Sequence, residues 1–154
     1  ESRKFDGIIL AEAGLKRMGW DLPVHQLDID NFCPSANQGA IAVVAKSGDE
    51  SEDIVSQINH PQTKTETEIE RIVIGNVGGG CIVPIGAYAK YVDHDKIHIR
   101  AEVLALDGYH YVAVDDVILA DNYKEEANKL GQDLVRKGGK ELVQEALDKM
   151  ANAE

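Results

Sequence analysis

One cysteine, Cys81, follows three consecutive glycines, Gly78, Gly79 and Gly80, and leads into the apolar run Ile82-Val83-Pro84-Ile85 before Gly86. A thiol is a soft nucleophile with an ordinary pKa near ~8.5, suited to attack on carbon electrophiles. Three glycines remove every Cβ from its approach and admit positive φ, so a bulky partner can reach the sulfur. The plainer alternative is a hinge followed by a small buried cysteine, the usual state of a free thiol. Cys33 is the only other cysteine, and the two form no C-x-x-C pair. With neither a resolving cysteine nor a base in sequence reach, redox exchange and cysteine-dependent hydrolysis are both disfavoured. The glycines are not a phosphate cradle, because no Lys-Ser or Lys-Thr follows them. Arg3, Arg17, Arg71, Arg100 and Arg136 offer planar forks that bind carboxylates through paired hydrogen bonds. His94 and His98 are four apart but fall on a turn and a strand, so no metal site is expected.

The chain that must position these groups has 154 residues, 44% of them hydrophobic, which is enough to bury a core. Its 16 Lys and Arg stand against 27 Asp and Glu, a formal net charge of -11. That balance disfavours nucleic acid and anionic membrane surfaces as partners while leaving small anionic ligands open to a few placed arginines. No apolar run is long enough to span a bilayer, and no basic region followed by an apolar run marks a signal peptide. With only two cysteines, a reducing, cytoplasmic setting is expected.

Gly7-Ile8-Ile9-Leu10 reads as a short strand buried on both faces, followed by a helix over Ala11 to Met18 that ends at Gly19. Arg17 falls in its last turn, where the helix dipole alone favours a cation. Asp21 to Pro34 reads as a loop, and Ala40 to Ala45 as a second apolar strand closed by Lys46. Both strands need neighbours that the nearby sequence does not supply. Ser47 to Glu52 reads as a polar turn before a short helix over Asp53 to Ile58. A helix is predicted from Pro61 to Gly75, with Thr63, Thr65, Glu66 and Glu68 near its positive end and Ile69, Ile72 and Val73 as its buried stripe. Arg71 lies off that stripe, where a helical arginine is ordinarily an exposed partner of the Thr67 and Glu68 turn.

Beyond Cys81, Val83–Val92, Ile97–Leu106 and Tyr109–Leu119 alternate as an antiparallel meander. Ile97, Ile99, Ala101 and Val103 share one face, and His98, Arg100 and Glu102 share a solvated one. Asp107-Gly108 signals a two-residue hairpin. Two amphipathic helices, Tyr123–Arg136 and Lys140–Met150, follow across Gly138-Gly139. From His60 onward the pattern is therefore α+β: a three-stranded antiparallel sheet with helices.

Five ordered motifs then carry a resemblance. They are Asp6-Gly7-Ile8-Ile9-Leu10-Ala11, Ala13-Gly14-Leu15-Lys16-Arg17, Pro34-Ser35-Ala36-Asn37-Gln38-Gly39-Ala40-Ile41, Glu70-Arg71 and Gly79-Gly80-Cys81-Ile82-Val83-Pro84-Ile85-Gly86-Ala87-Tyr88. In that order they resemble the C-terminal half of the porphobilinogen deaminase, or hydroxymethylbilane synthase, family. The resemblance implies a transferase of tetrapyrrole (haem) biosynthesis in which Cys81 carries a dipyrromethane cofactor through a thioether. Porphobilinogen units are added to it stepwise with loss of ammonia, and hydrolysis releases the linear product. It also implies that Arg17 and Arg71 bind cofactor or substrate carboxylates and that Gln38, Gly39 and the Ala11 backbone line the same cleft. Lys46 stands where the family carries an arginine, keeping the charge without the fork, and Asn37 stands where it usually carries a glycine. No catalytic residue is assigned in this chain; the catalytic aspartate is expected in the N-terminal half, which is implied as a partner.

On the same resemblance, residues 1–36 end a second domain, 37–59 return to a first, and 60–154 form the α+β cofactor-attachment domain. The preceding segments would be partial α/β elements of the periplasmic-binding-protein-like type. The rival reading from residues alone is a stand-alone α+β binding or interaction module with a buried structural cysteine.

Overall fold

The computed structural model describes residues 4–78, 80 and 83–152. Among the described residues three α-helices precede the sheet: α1 (Glu12–Arg17), α2 (Glu50–Ser56) and α3 (Pro61–Val77). The strands are β1 (Ile85–Tyr91), β2 (Lys96–Leu104) and β3 (Tyr111–Leu119), followed by α4 (Tyr123–Arg136) and α5 (Gly139–Ala151). The sheet order is β1-β2-β3, antiparallel throughout, with Ala87 opposite Ala101 and Ala101 opposite Val114. The expected meander and its helices are present. No helix among the described residues is long and apolar enough to cross a membrane.

The alternation in β2 decides which face is inside. Ile97, Ile99, Ala101 and Val103 are fully buried and meet Ile69 and Val73 of α3, Ala127 and Leu134 of α4, and Val143 and Ala146 of α5 in one core. The opposite face is less open than its polar residues suggest. The Arg100 and Glu102 side chains are only 16% and 12% exposed, and Arg100 Nη1 reaches Asp115 Oδ2 of β3 at 2.9 Å. Cys33 lies over this face, its Sγ 3.8 Å from the Arg100 carbonyl.

Several boundaries move for identifiable reasons. Asp49 accepts from the Ser51 N–H (3.0 Å), so α2 starts inside the stretch read as a polar turn. His60, not a threonine or glutamate, caps α3 by accepting from the Thr63 N–H at 3.2 Å. That helix runs past Gly75 to Gly78, whose φ of 83° ends it. Asp107-Gly108 sits within a longer loop in which the Asp107 carboxylate collects the Tyr109 and His110 N–H groups (2.8 and 3.0 Å). The two expected strands, 7–10 and 40–45, lie outside any sheet, with Ile9 81% and Val44 90% exposed. A strand exists through its ladder, and no described segment supplies one for either.

Among the described residues the outer side of β1 has no strand neighbour, yet the N–H groups of Ala87, Ala89 and Tyr91 are satisfied. The Pro34 carbonyl accepts from Ala87 (2.8 Å), Glu70 Oε1 from Ala89 (2.9 Å) and Glu66 Oε1 from Tyr91 (3.0 Å). At the far edge, Lys137 Nζ donates to the Ala113 carbonyl of β3 at 2.9 Å. The Pro34 contact brings the chain so close that a Cβ on Gly86 would sit 2.7 Å from the Cys33 carbonyl and 3.0 Å from its Sγ. Gly86→Ala is expected to cost about 1–3 kcal/mol in urea denaturation through overpacking and loss of the Pro34–Ala87 bond. Peptide mapping after thiol labelling should then find Cys33 modified faster than in the parent; unchanged stability and labelling would show that residues 33–34 do not depend on this contact.

Candidate functional site

The approach to the cysteine is built at the end of α3. Gly78 and Gly80 adopt φ of 83° and 67°, and a Cβ at either would meet nothing within 4 Å. Glycine is therefore required here by the sign of φ rather than by crowding. Cys81 itself lies outside the described residues, as do Gly79, Ile82 and Arg3.

The arginines divide cleanly. Arg100 is bound to Asp115 and Glu102, and Arg136 to Asp133 at 2.7 Å. Arg17, in the last turn of α1, and Arg71, on the exposed side of α3, make no ion pair or side-chain hydrogen bond among the described residues. Glu68, the acid expected beside Arg71, is held by Lys124 (2.8 Å) and by the Tyr123 hydroxyl (2.7 Å), joining α3 to α4. The expected local partnership for Arg71 is thus not made. In a chain with a net charge of -11, two arginine forks without an acid are conspicuous.

Gln38 and Gly39 line a cleft of about 210 Å³ between the 34–40 segment, α3 and β1. Arg17, Ala11 and Lys46 are exposed and do not line it; Arg71 adjoins its wall through Glu70 but faces away. Ala11 is the residue before α1, its carbonyl accepting from Gly14 N–H at 3.0 Å. Lys46 makes no ion pair among the described residues, and its carbonyl accepts from Asp49 N–H at 3.3 Å.

The sequence reading missed what holds the Gln38-Gly39 segment. Asn37 has φ of 61°, the one non-glycine residue with positive φ among those described. Asparagine tolerates this region better than most residues, so it can replace a glycine there. Its N–H donates to Glu70 Oε2 at 2.6 Å, and its amide nitrogen, turned toward α3, reaches the Thr67 carbonyl at 3.0 Å and Glu70 Oε2 at 3.3 Å. Glu66 and Glu70 are only 7% exposed. Burial pushes the Glu70 carboxyl above its ordinary value, the hydrogen bonds from Asn37 and Ala89 pull it back, and neighbouring Glu66 adds to the rise. The signal was available: Glu66, Ile69, Glu70 and Val73 share one helical stripe, so acids at 66 and 70 had to be buried with it.

Cys33 is a contrasting thiol. Burial, with the nearby Glu102 carboxylate, raises its pKa to about 12, so it stays protonated and unreactive. On the exposed β1–β2 turn, ligand atoms of Asp93, His94 and Asp95 lie within 4.8 Å of one another. They already bond among themselves, His94 Nδ1 to Asp93 Oδ1 at 3.0 Å.

Two family models match the chain in order. Residues 1–53 match "porphobilinogen deaminase, dipyromethane cofactor binding domain" and residues 64–148 match "porphobilinogen deaminase, C-terminal domain". Among curated proteins, a probable porphobilinogen deaminase of Methanococcoides burtonii is 51% identical over 152 residues, covering 98% of this chain and 49% of that protein. The corresponding protein of Methanosarcina barkeri is 51% identical over 145 residues, covering 94% and 46%. The porphobilinogen deaminase of Bacillus cereus is 36% identical over 143 residues, covering 90% and 45%. The chain spans about half the length of the curated relatives it matches. None of these comparisons supports a stand-alone module.

Because Arg71 is exposed and has no partner among the described residues, Arg71→Lys should change the urea-denaturation free energy by less than about 0.5 kcal/mol. A larger loss would give its guanidinium a structural role. Arg17→Lys should behave alike, since lysine keeps the positive charge at the helix end.

Proposed function

This chain belongs to the porphobilinogen deaminase family, and on that premise we propose that it is the C-terminal portion of a hydroxymethylbilane synthase. The whole enzyme would condense four porphobilinogen molecules into hydroxymethylbilane with release of ammonia. The observation that carries this reading is that Arg17 and Arg71 have no acidic partner among the described residues of an acidic chain, whereas Arg100 and Arg136 are paired. Guanidinium forks left free by the fold suit a ligand bearing several carboxylates.

In this reading Cys81 holds a dipyrromethane as a thioether, which supplies an anchored pyrrole chain for extension. The positive φ of Gly78 and Gly80 fits a loop that must present one side chain away from the end of α3. Arg17 and Arg71 hold carboxylates of cofactor or substrate, and Lys46 adds a point charge. Gln38 and Gly39 line the cleft beside α3, and the Ala11 backbone, exposed in this chain, would join them in the assembled enzyme. Proton transfer is assigned to no residue of this chain; the catalytic aspartate belongs to the N-terminal half, the proposed partner.

The exposed apolar residues of segments 7–10 and 40–45 support that partnership, since they are strand-like sequences without a ladder. We assign residues 1–36 to the end of a second domain, 37–59 to a return into a first, and 60–154 to the cofactor-attachment domain. The first two segments then complete α/β sheets of the periplasmic-binding-protein-like type with the other half. A cytoplasmic setting goes with the same proposal.

Two outcomes are expected. The purified 154-residue chain should not convert porphobilinogen, because positioning and acid-base groups lie outside it, and adding the N-terminal half should restore turnover. Product from the chain alone would overturn this division of labour. In the active assembled enzyme, peptide mass measurement should find dipyrromethane on Cys81 and a free thiol at Cys33, and Cys81→Ala should be inactive. A bare Cys81 in active enzyme, or an active Cys81→Ala variant, would remove the central assignment.

A further inference from the structure

The buried Glu70 carboxylate is used by no step above, yet each of its oxygens is spoken for by a different part of the fold. Oε1 takes the Ala89 N–H of β1 at 2.9 Å, and Oε2 takes the Asn37 N–H at 2.6 Å. Its own helix carries Arg71 as the next residue. The residues after Asn37 are Gln38 and Gly39, which line the cleft. The segment carries two further turn bonds, Gln38 N–H to the Ser35 carbonyl (3.0 Å) and Ala40 N–H to the Asn37 carbonyl (3.0 Å). These fix its local shape. Ala36 packs against the core that contains Ile69 and Val73, and among the described residues the hydrogen bonds that tie the segment to α3 are those of Asn37, from its N–H to Glu70 and from its amide to the Thr67 carbonyl.

We infer that Glu70, acting through Asn37, is a positioning residue that sets the Gln38-Gly39 segment at a fixed distance from Arg71 and from β1. The inference rests on the proposed function for the identity of what the cleft binds, but the latch itself is a property of this chain. A carboxylate suits the role because it accepts on both oxygens at once, and hydrogen bonds to a charged acceptor are the stronger kind. Glutamine is nearly the same size but accepts on one oxygen only, so its amide nitrogen must face one of the two N–H groups. Glycine at position 37 would keep the backbone bond and the positive φ while losing the side-chain contact with Thr67.

The test compares parent, Glu70→Gln and Asn37→Gly in the full enzyme, this chain together with its N-terminal half. Amide exchange at Asn37, Gln38 and Ala40 should accelerate by about tenfold or more in Glu70→Gln while the β2 amides stay protected. KM for porphobilinogen should rise by about tenfold with kcat within about threefold, because a displaced segment weakens binding without removing a reacting group. Asn37→Gly should move both readouts in the same direction by less. Unchanged exchange at residues 37–40 in Glu70→Gln overturns the latch. Faster exchange throughout the domain with unchanged KM, or faster exchange at the segment alone with unchanged KM, overturns its positioning role. A parent enzyme that fails to turn over porphobilinogen rejects the proposed function instead, and the exchange comparison then decides the latch alone.

Discussion

An edge strand cannot leave its outward N–H groups unpaired once it is buried, and the handling of that constraint on β1 organises the rest of the molecule. Alanines at 87 and 89 are 1% and 3% exposed, so water cannot serve them. Their partners come from two places far apart in sequence: a carbonyl at Pro34 and a carboxylate on α3. The first draws the 33–34 stretch onto the sheet, and Gly86 is the residue that lets it come so near. The second forces an acid into the core side of a helix and raises its pKa. Because that acid has a second oxygen, the same solution also fixes Asn37 and the segment behind it. One backbone requirement thereby couples the sheet, the helix and the residues proposed to face ligand.

Much of the C-terminal fold could be read directly. The period-two run through β2 named its buried residues correctly, and α4 has the limits its amphipathic pattern predicts. Local signals fared worse where side chains competed for backbone groups. Asp49, His60 and Asp107 each accept main-chain hydrogen bonds that shift a boundary, and propensity gives little warning of which residue will do so. The apolar runs at 7–10 and 40–45 read as strands because composition reports a preference for burial, whereas a ladder needs a second segment. Glu66 shows the opposite error: its charge was assigned to a helix terminus, while its place on the Ile69 stripe carried the better information.

For the site, motif and geometry contributed different things. The order of the motifs picked out Arg17, Arg71 and the Gln38-Gly39 pair. Only the geometry distinguished arginines without an acid among the described residues from committed ones, since Arg100 and Arg136 look no different in the sequence. Asn37 stands where the resemblance implies a glycine, and the structure gives it a φ of 61° and a reach to Thr67. It thus meets the same backbone demand and adds an anchor.

The Lys137 bond to β3 bears on how the protein behaves in a crowded solution. Among the described residues β3 has a strand neighbour on one side only, and nine residues of exposed edge would invite another chain to pair with it. Lys137 occupies one of its carbonyls, at Ala113, and Asp115 and Asp116 place two carboxylates along the same strand. An incoming strand would have to displace the ammonium group, leave it without its acceptor and approach the Asp116 carboxylate, Asp115 being already paired with Arg100. The edge is thus guarded against self-templated aggregation without proline or a bulge, at the expense of one long side chain held still.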